Sequence, residues 1–274
     1  MSTATPTRIA VLGADGRMGR ALTRAVVAAG SEAAVLTAAC ERPGHAAIGK
    51  DAGALAGTGA LGVELTGALP AKGAADVWID FTAASATEAV TVAATAAGAA
   101  LVIGTTGLGT HARAAIDFAA TKIPIVYAAN YSVGINVLLA LVAQAAQALG
   151  PSYDLEIVEA HHRGKHDAPS GTALMLAEAL AGATHRTLAS DARYARHGNV
   201  GPRTASEIGI QAIRGGDVVG DHTVFFLGPG DRLEITHRAS TRDTFAVGAV
   251  RAALWVAGRE PGLSDMRAVL GLAR

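Results

Sequence analysis

The chain has 274 residues, half of them hydrophobic but only 4% aromatic, with Lys+Arg 23 against Asp+Glu 23 and one cysteine. A formal net charge of +0 argues against a non-specific binder of nucleic acid or of an anionic membrane surface. Cys40 alone excludes an intramolecular disulfide framework or a cysteine-rich metal site, and the length allows one large or two smaller domains.

The polar opening leads straight into a strand with no signal-peptide pattern, so a cytoplasmic protein is expected. Residues 8–12 form a short apolar run ending in Gly13-Ala14-Asp15-Gly16-Arg17-Met18-Gly19-Arg20, and Leu22, Val26 and Val27 follow at helical spacing. Strand, glycine turn and helix make the phosphate-cradling start of a dinucleotide fold. Gly13 allows the tight turn, Gly16 lets backbone approach a pyrophosphate, and Gly19 lets the helix pack on the sheet. The spacing is G-x-x-G-x-x-G, because Asp15 stands where a glycine is usual, and alone it marks little more than a strand-to-helix turn.

A second strand, 34–40, strengthens the reading. It ends in Glu41-Arg42, about where an acid meets an adenosine ribose: Glu41 to accept from the hydroxyls of NAD, Arg42 to pair with the 2′-phosphate of NADP. Cys40 reads as a small buried filler. Residues 44–73 are glycine-rich and read as irregular. Then come a strand at 76–81, a helix at 85–97, a strand at 101–103 ending in Gly104-Thr105-Thr106-Gly107, a helix at 110–121 and a strand at 123–127 before Ala128-Ala129-Asn130-Tyr131-Ser132. Strands alternating with helices predict a doubly wound parallel sheet, with ligands beyond the carboxyl ends of its strands. The glycine turn, Gly104 to Thr106 and Ala128 to Tyr131 would then share one rim.

After Ser132 the character changes. The apolar window 133–149 carries Asn136, Gln144 and Gln147 and reads as a buried amphipathic helix, not a membrane span. A strand at 153–160 leads into Glu159-Ala-His161-His162-Arg-Gly-Lys165-His166-Asp167-Ala-Pro169-Ser170-Gly171-Thr172-Ala173. A helix is predicted at 171–183, with Pro169 fixing the backbone and Ser170 as N-cap. First-turn amides of Gly171 and Thr172 would point outward to suit a carboxylate or phosphate, and histidine and lysine beside them suit proton transfer and anion neutralisation. Strands follow at 208–214, 222–227 and 232–239, read as antiparallel and joined in part by the turn Gly228-Pro-Gly-Asp231. A last helix, 245–257, is expected to return to the first domain.

The run from Glu159 to Ala173, with residues 13–20, Ile103-Gly-Thr-Thr-Gly107, Ala129-Asn-Tyr-Ser-Val-Gly134 and Glu234-Ile-Thr-His237, resembles the signature of the 4-hydroxy-tetrahydrodipicolinate (dihydrodipicolinate) reductase family over essentially the whole chain. The resemblance implies an α/β protein with an N-terminal Rossmann-type doubly wound parallel sheet and a second α+β domain with an open mixed or antiparallel sheet. The first domain would span 1–132 and be completed by 243–274; 133–242 would bind substrate and form the oligomer, a homotetramer. The implied reaction is NADH- or NADPH-dependent reduction of an unsaturated heterocyclic dicarboxylate with loss of water, in the diaminopimelate and lysine pathway. The family pattern makes His161 the acid/base and Lys165 a second proton donor, and has His162, Gly171 and Thr172 hold the substrate. Gly13, Ala14, Asp15, Gly16, Arg17, Met18, Glu41, Arg42, Gly104, Thr105, Thr106, Ala128, Ala129, Asn130 and Tyr131 would carry the cofactor; Tyr131 stands where the family usually has Phe.

Three rivals are weaker. A different two-domain reductase, such as a semialdehyde or homoserine dehydrogenase, would share the nucleotide half, but the semialdehyde enzymes need a nucleophilic cysteine in the second domain, and the sequence has none there. A metal enzyme would have to use adjacent histidines, which usually diverge, beside a repelling Lys165, so no metal is expected. A non-catalytic nucleotide sensor would have no use for the proton donors.

Overall fold

The computed structural model describes residues 5–272; the first four and last two residues, assigned by sequence to the first domain, lie outside the described residues. The chain divides into two compact units, Met1–Val133 with Arg242–Arg274, and Gly134–Thr241.

In the first unit, β1 (Thr7–Leu12) runs through the glycine turn into α1 (Arg17–Ala28), and β2 (Ala34–Cys40) lies parallel to β1. The stretch read as irregular holds a short helix, α2 (Ala52–Ala56), whose N-cap Asp51 accepts from Ala54 N, and a two-residue strand, β3 (Leu65–Thr66), beside β2. Then follow β4 (Val77–Asp80), α3 (Ala84–Ala97), β5 (Ala100–Ile103), α4 (Thr110–Ala119) and β6 (Pro124–Tyr127). Every residue of β4 and β5 is buried, as strands covered on both faces must be, and all but Asp80 are apolar. The helix α3 ends where Gly98 takes the left-handed conformation.

The second unit begins along α5 (Val133–Leu149), which passes through a short 3-10 turn into β7 (Asp154–His161). Over Val133–Ser152 the chain is long and apolar enough to cross a membrane, with a mean hydropathy of 1.7. Ile135, Leu138, Val142 and Ala146, at helical spacing, instead pack in this unit's core. Then come α6 (Gly171–Ala183), α7 (Leu188–Asp191), β8 (Ala192–Arg193), β9 (Ile208–Arg214), β10 (Gly220–Leu227) and β11 (Arg232–Ala239). The sheet order is β11-β10-β7-β9-β8. The antiparallel reading of 208–239 is corrected here: β10 and β11 pair antiparallel, but β9 lies parallel to β7, which separates it from β10. Alternation on β7 buries Leu155, Ile157, Glu159 and His161 on one face, where the first two meet Leu176 and Leu180 of α6. The 184–207 excursion, where sequence gave no strand, is tied to β7 by Arg196 and Arg203, which both donate to Glu156.

The chain then returns to the first unit through α8 (Asp243–Val256), β12 (Gly262–Ser264) and α9 (Met266–Leu270), completing the parallel order β12-β6-β5-β4-β1-β2-β3. Ala246, Ala249, Val250 and Ala253 of α8 join the core formed by Ile9, Val11 and Ile79. Close approach requires Gly248, since a Cβ there would lie 1.7 Å from the carbonyl oxygen of Tyr131.

Candidate active site

In the first unit, sequence places three loops on one rim and the parallel register agrees: Leu12, Asp80, Ile103 and Tyr127 end adjacent strands. Gly13 has φ +68, the left-handed conformation that the turn demands. A Cβ at Gly19 would lie 2.1 Å from Gly13 O, so helix and turn touch backbone to backbone. The N-cap of α1 is Gly16, which supplies no side-chain acceptor to the first-turn amides. Those amides, with the positive end of the helix, fit a pyrophosphate. Glu41 Oε1 accepts from Asp15 N at 3.0 Å and its Oε2 from Arg42 N at 3.3 Å, which holds the carboxylate over the turn. The Asp15 side chain faces Arg20 at 2.7 Å, so it adds no unpaired negative charge. Arg42 is exposed. A nicotinamide dinucleotide therefore fits this rim.

Behind the rim sits a network that sequence reasoning missed. Asp80, fully buried at the end of β4, accepts from Thr82 N at 2.9 Å, Thr82 Oγ1 at 2.5 Å and Thr87 Oγ1 at 3.0 Å. Thr105 Oγ1 reaches the same carboxylate at 3.4 Å. One buried acceptor thus ties the loops after β4 and β5 together. Gly104 is needed because a Cβ there would lie 2.2 Å from the Phe81 ring. Thr106 and Ala129 are exposed and Ala128 half-buried, whereas Asn130 is buried and accepts from Ser132 N at 2.8 Å.

The Tyr131 side chain turns inward: it is 1% exposed, and its hydroxyl lies 2.9 Å from Ile103 O and 3.0 Å from Val126 O. The ring packs against Phe81, centroids 5.3 Å apart. Tyr131 is thus a floor under the rim rather than part of its surface.

The second unit gathers the groups around the end of β7. Glu159 is completely buried, yet Arg214 donates to both its oxygens at 2.8 Å, Ser170 N donates at 3.1 Å, and His161 Nδ1 lies 2.5 Å from Oε2. Burial alone would raise the Glu159 pKa, but Arg214, His161 and the Ser170 amide outweigh it and hold the carboxyl below its ordinary range. The imidazole of His161 is pushed down from its ordinary value chiefly by burial, with Glu159 pulling the other way and Lys165 and Arg214 adding to the fall.

Lys165 Nζ meets both oxygens of Asp167, at 2.8 and 2.9 Å. The Asp167 carboxyl is lowered by that lysine and is exposed. Ser170 caps α6 by accepting from Ala173 N at 3.2 Å. Beside it Gly171 is exposed, with nothing within 4 Å of an added Cβ, so the helix start is open to a ligand. His162 is half-buried and lies near Gly164, whose added Cβ would be 3.5 Å from its Nδ1.

Sequence reasoning gave no role to Glu159, Arg214, Gly220 or His222. Register explains three of them: His161 pairs with Arg214 on β9, and Glu159 pairs with His222 on β10. His222 is 4% exposed; its Nε2 is 3.1 Å from Ser170 Oγ, and its ring meets the edge of His161, centroids 5.2 Å apart. Gly220 leaves space before His161, since a Cβ there would lie 3.0 Å from Nε2.

Residues 7–131 match the family model described as dihydrodipicolinate reductase, N-terminus, and 134–270 match its C-terminus. The chain belongs to the dihydrodipicolinate reductase family. It is 57% identical over 267 residues to the 4-hydroxy-tetrahydrodipicolinate reductase of Alkalilimnicola ehrlichii, covering 97% of this chain and 99% of that one. It is 53% identical over 266 residues to the enzyme of the same name from Acinetobacter baumannii, covering 97% and 96%. The fold is also that of a solved dipicolinate-bound dihydrodipicolinate reductase from a Paenisporosarcina species, with a TM-score of 0.71 at 21% identity, covering 95% of this chain and 97% of that one. Members of this family are oxidoreductases, and the Rossmann-like first unit is the nicotinamide-binding half of the family fold.

Proposed function

We propose that the protein reduces 4-hydroxy-tetrahydrodipicolinate to tetrahydrodipicolinate with loss of water, using NADH or NADPH, in diaminopimelate and lysine biosynthesis. The observation that carries this is the cluster of His161 on buried Glu159, Lys165, and the open α6 start at Gly171, in a chain 57% identical to a reductase of that name. A bound nicotinamide cofactor would supply the hydride. The chain's own groups do the rest. The α6 amides of Gly171 and Thr172, with Lys165 and His162, neutralise the substrate carboxylates. An arriving dianion favours the protonated imidazole that burial disfavours in the empty site, so substrate arms His161 as the proton donor, with Lys165 as second source.

Steady-state turnover followed by loss of cofactor absorbance, with freshly generated substrate, tests the reading. His161→Gln should lower kcat about 10²–10⁴-fold, the usual size of a lost general acid, and leave cofactor affinity by fluorescence titration unchanged. Lys165→Ala should lower kcat and raise KM together. Near-normal turnover in His161→Gln would move the acid/base role to His162 or a water.

Both cofactors are accepted in this reading, because Glu41 and exposed Arg42 are adjacent. Arg42→Ala should weaken NADPH much more than NADH; equal losses would remove Arg42 from the 2′-phosphate. The protein works as a cytoplasmic homotetramer joined through its second unit. Support comes from the sheet face away from α6, which carries exposed Ile213 and Leu227. A single buried cysteine accords with a reducing compartment. A monomer by sedimentation at micromolar concentration would reject the assembly.

A further inference from the structure

We infer that Glu159, clamped by Arg214, is the positioning residue that fixes which ring nitrogen of His161 faces the substrate and ties that imidazole to the start of α6. The inference deepens the acid/base reading of His161 and rests on it.

The geometry assigns the protons. Every close neighbour of the Glu159 carboxylate donates: Arg214 Nη1 and Nη2 at 2.8 Å each, and Ser170 N at 3.1 Å. A guanidinium and an amide have no lone pair to offer, so this carboxylate is an ionised acceptor on both oxygens. His161 Nδ1, 2.5 Å from Oε2, must then carry the hydrogen. In the neutral ring Nε2 therefore bears the lone pair; in the charged ring Nε2 bears the proton that can leave. That proton passes from Nε2 to the substrate, while the other hydrogen stays on Nδ1, hydrogen-bonded to Glu159, so the ring returns to the same tautomer each turnover. Nε2 is the nitrogen before which Gly220 leaves room.

Arg214 does two things. Its bidentate grip keeps Glu159 from taking the Nδ1 proton, and its Nη2 also donates to Asp167 O at 2.7 Å. Glu159 in turn holds Ser170 N, the N-cap of α6. The proton donor and the helix start proposed for a substrate carboxylate are thus referenced to one buried side chain. The charged and titratable groups around His161 are Glu159 on its own strand, Lys165 on the following loop, Arg214 on β9 and His222 on β10.

Long-range proton–nitrogen NMR spectra of the full-length protein with labelled histidine, assigned with His161→Gln, read the tautomer without any turnover. We expect neutral His161 to carry its hydrogen on Nδ1. Glu159→Gln should lower the His161 protonation midpoint, because it removes an anion, and Arg214→Gln should raise it, because it removes a cation. A role in folding alone would not move the midpoint in opposite directions. In kinetics, Glu159→Gln should lower kcat about 10²–10⁴-fold, the scale of a catalytic histidine left in the wrong tautomer, with a smaller change in KM. A hydrogen on Nε2 in the neutral wild-type ring, or midpoints that stay put or move together, overturns the inference. If Glu159→Gln does not fold, the wild-type tautomer and the Arg214→Gln midpoint still decide. Failure of the acid/base reading shows separately, as normal turnover in His161→Gln.

Discussion

Lowering the pH should destabilise the protein through His222 before any carboxylate titrates. Burial is the first cause that pushes this imidazole from 6.5 down to about 4, with nearby His161 adding to it. Its Nε2 has Ser170 Oγ, but Nδ1 has no hydrogen-bond partner among the described residues, so a second ring proton would have no acceptor. Above pH 6.5 the ring is neutral folded or unfolded and costs nothing. Between 6.5 and about 4 the unfolded chain takes up a proton that the folded chain refuses, so stability present above the unfolded value is lost as pH falls. At about 1.4 kcal/mol per pKa unit, the loss saturates near about 3 kcal/mol, a large share of the roughly 5–15 kcal/mol typical of a folded domain. His222→Gln keeps a partner for Ser170 Oγ and never titrates. Urea unfolding from about pH 8 to about pH 4 should show the wild type losing about 3 kcal/mol more than this variant. His161 and His237, also lowered, titrate in both proteins and cancel. Glu156 and Glu159, held below 4.5, begin to contribute as pH falls to about that value, and do so in both proteins. Parallel stability curves for the two proteins would refute the reasoning.

Other perturbations have equally direct outcomes. Gly19→Ala places a Cβ 2.1 Å from Gly13 O and should abolish cofactor binding in a fluorescence titration while lowering the melting temperature. Tyr131→Phe removes a hydroxyl placed between Ile103 O and Val126 O, and should cost about 1–2 kcal/mol in urea unfolding with little change in kcat. Asp167→Asn releases Lys165 from an exposed carboxylate that competes with the substrate's, and should lower KM about two- to five-fold at unchanged kcat.

Local chemistry was legible in the sequence, and long-range register was not. Helix α6 begins and ends where Pro169-Ser170-Gly171 and the following alanine and leucine spacing place it, because a cap and its helix are neighbours in the chain. The glycine turn was legible for the same reason. Glu159 opened the motif, but its role is set by Arg214 and His222, more than fifty residues away and brought alongside only by pairing of β7 with β9 and β10. The parallel β7–β9 pair was missed because the loops before and after β9 do not say which strand lies between it and β10. β8 and β12 escaped because two or three residues give no period to read. The inward direction of the Tyr131 side chain was not legible because a loop aromatic at a binding rim looks alike whether it faces ligand or core. The departure from the family's usual phenylalanine does have a local use, since the added hydroxyl bridges the ends of β5 and β6.

The return of the chain through α8 also sets an order of events during synthesis. Ala246, Ala249, Val250 and Ala253 cover strands made long before them, and β12 closes the edge at β6. As the protein leaves the ribosome, the segment Gly134–Thr241 holds a full set of its own partners and can settle first. The earlier-made half must wait, its sheet lacking two helices and one strand, until the last thirty or so residues emerge. The part translated first is therefore the part finished last, and a premature stop after Thr241 would release a chain whose nucleotide half has an uncovered apolar face, a ready target for chaperones and proteases.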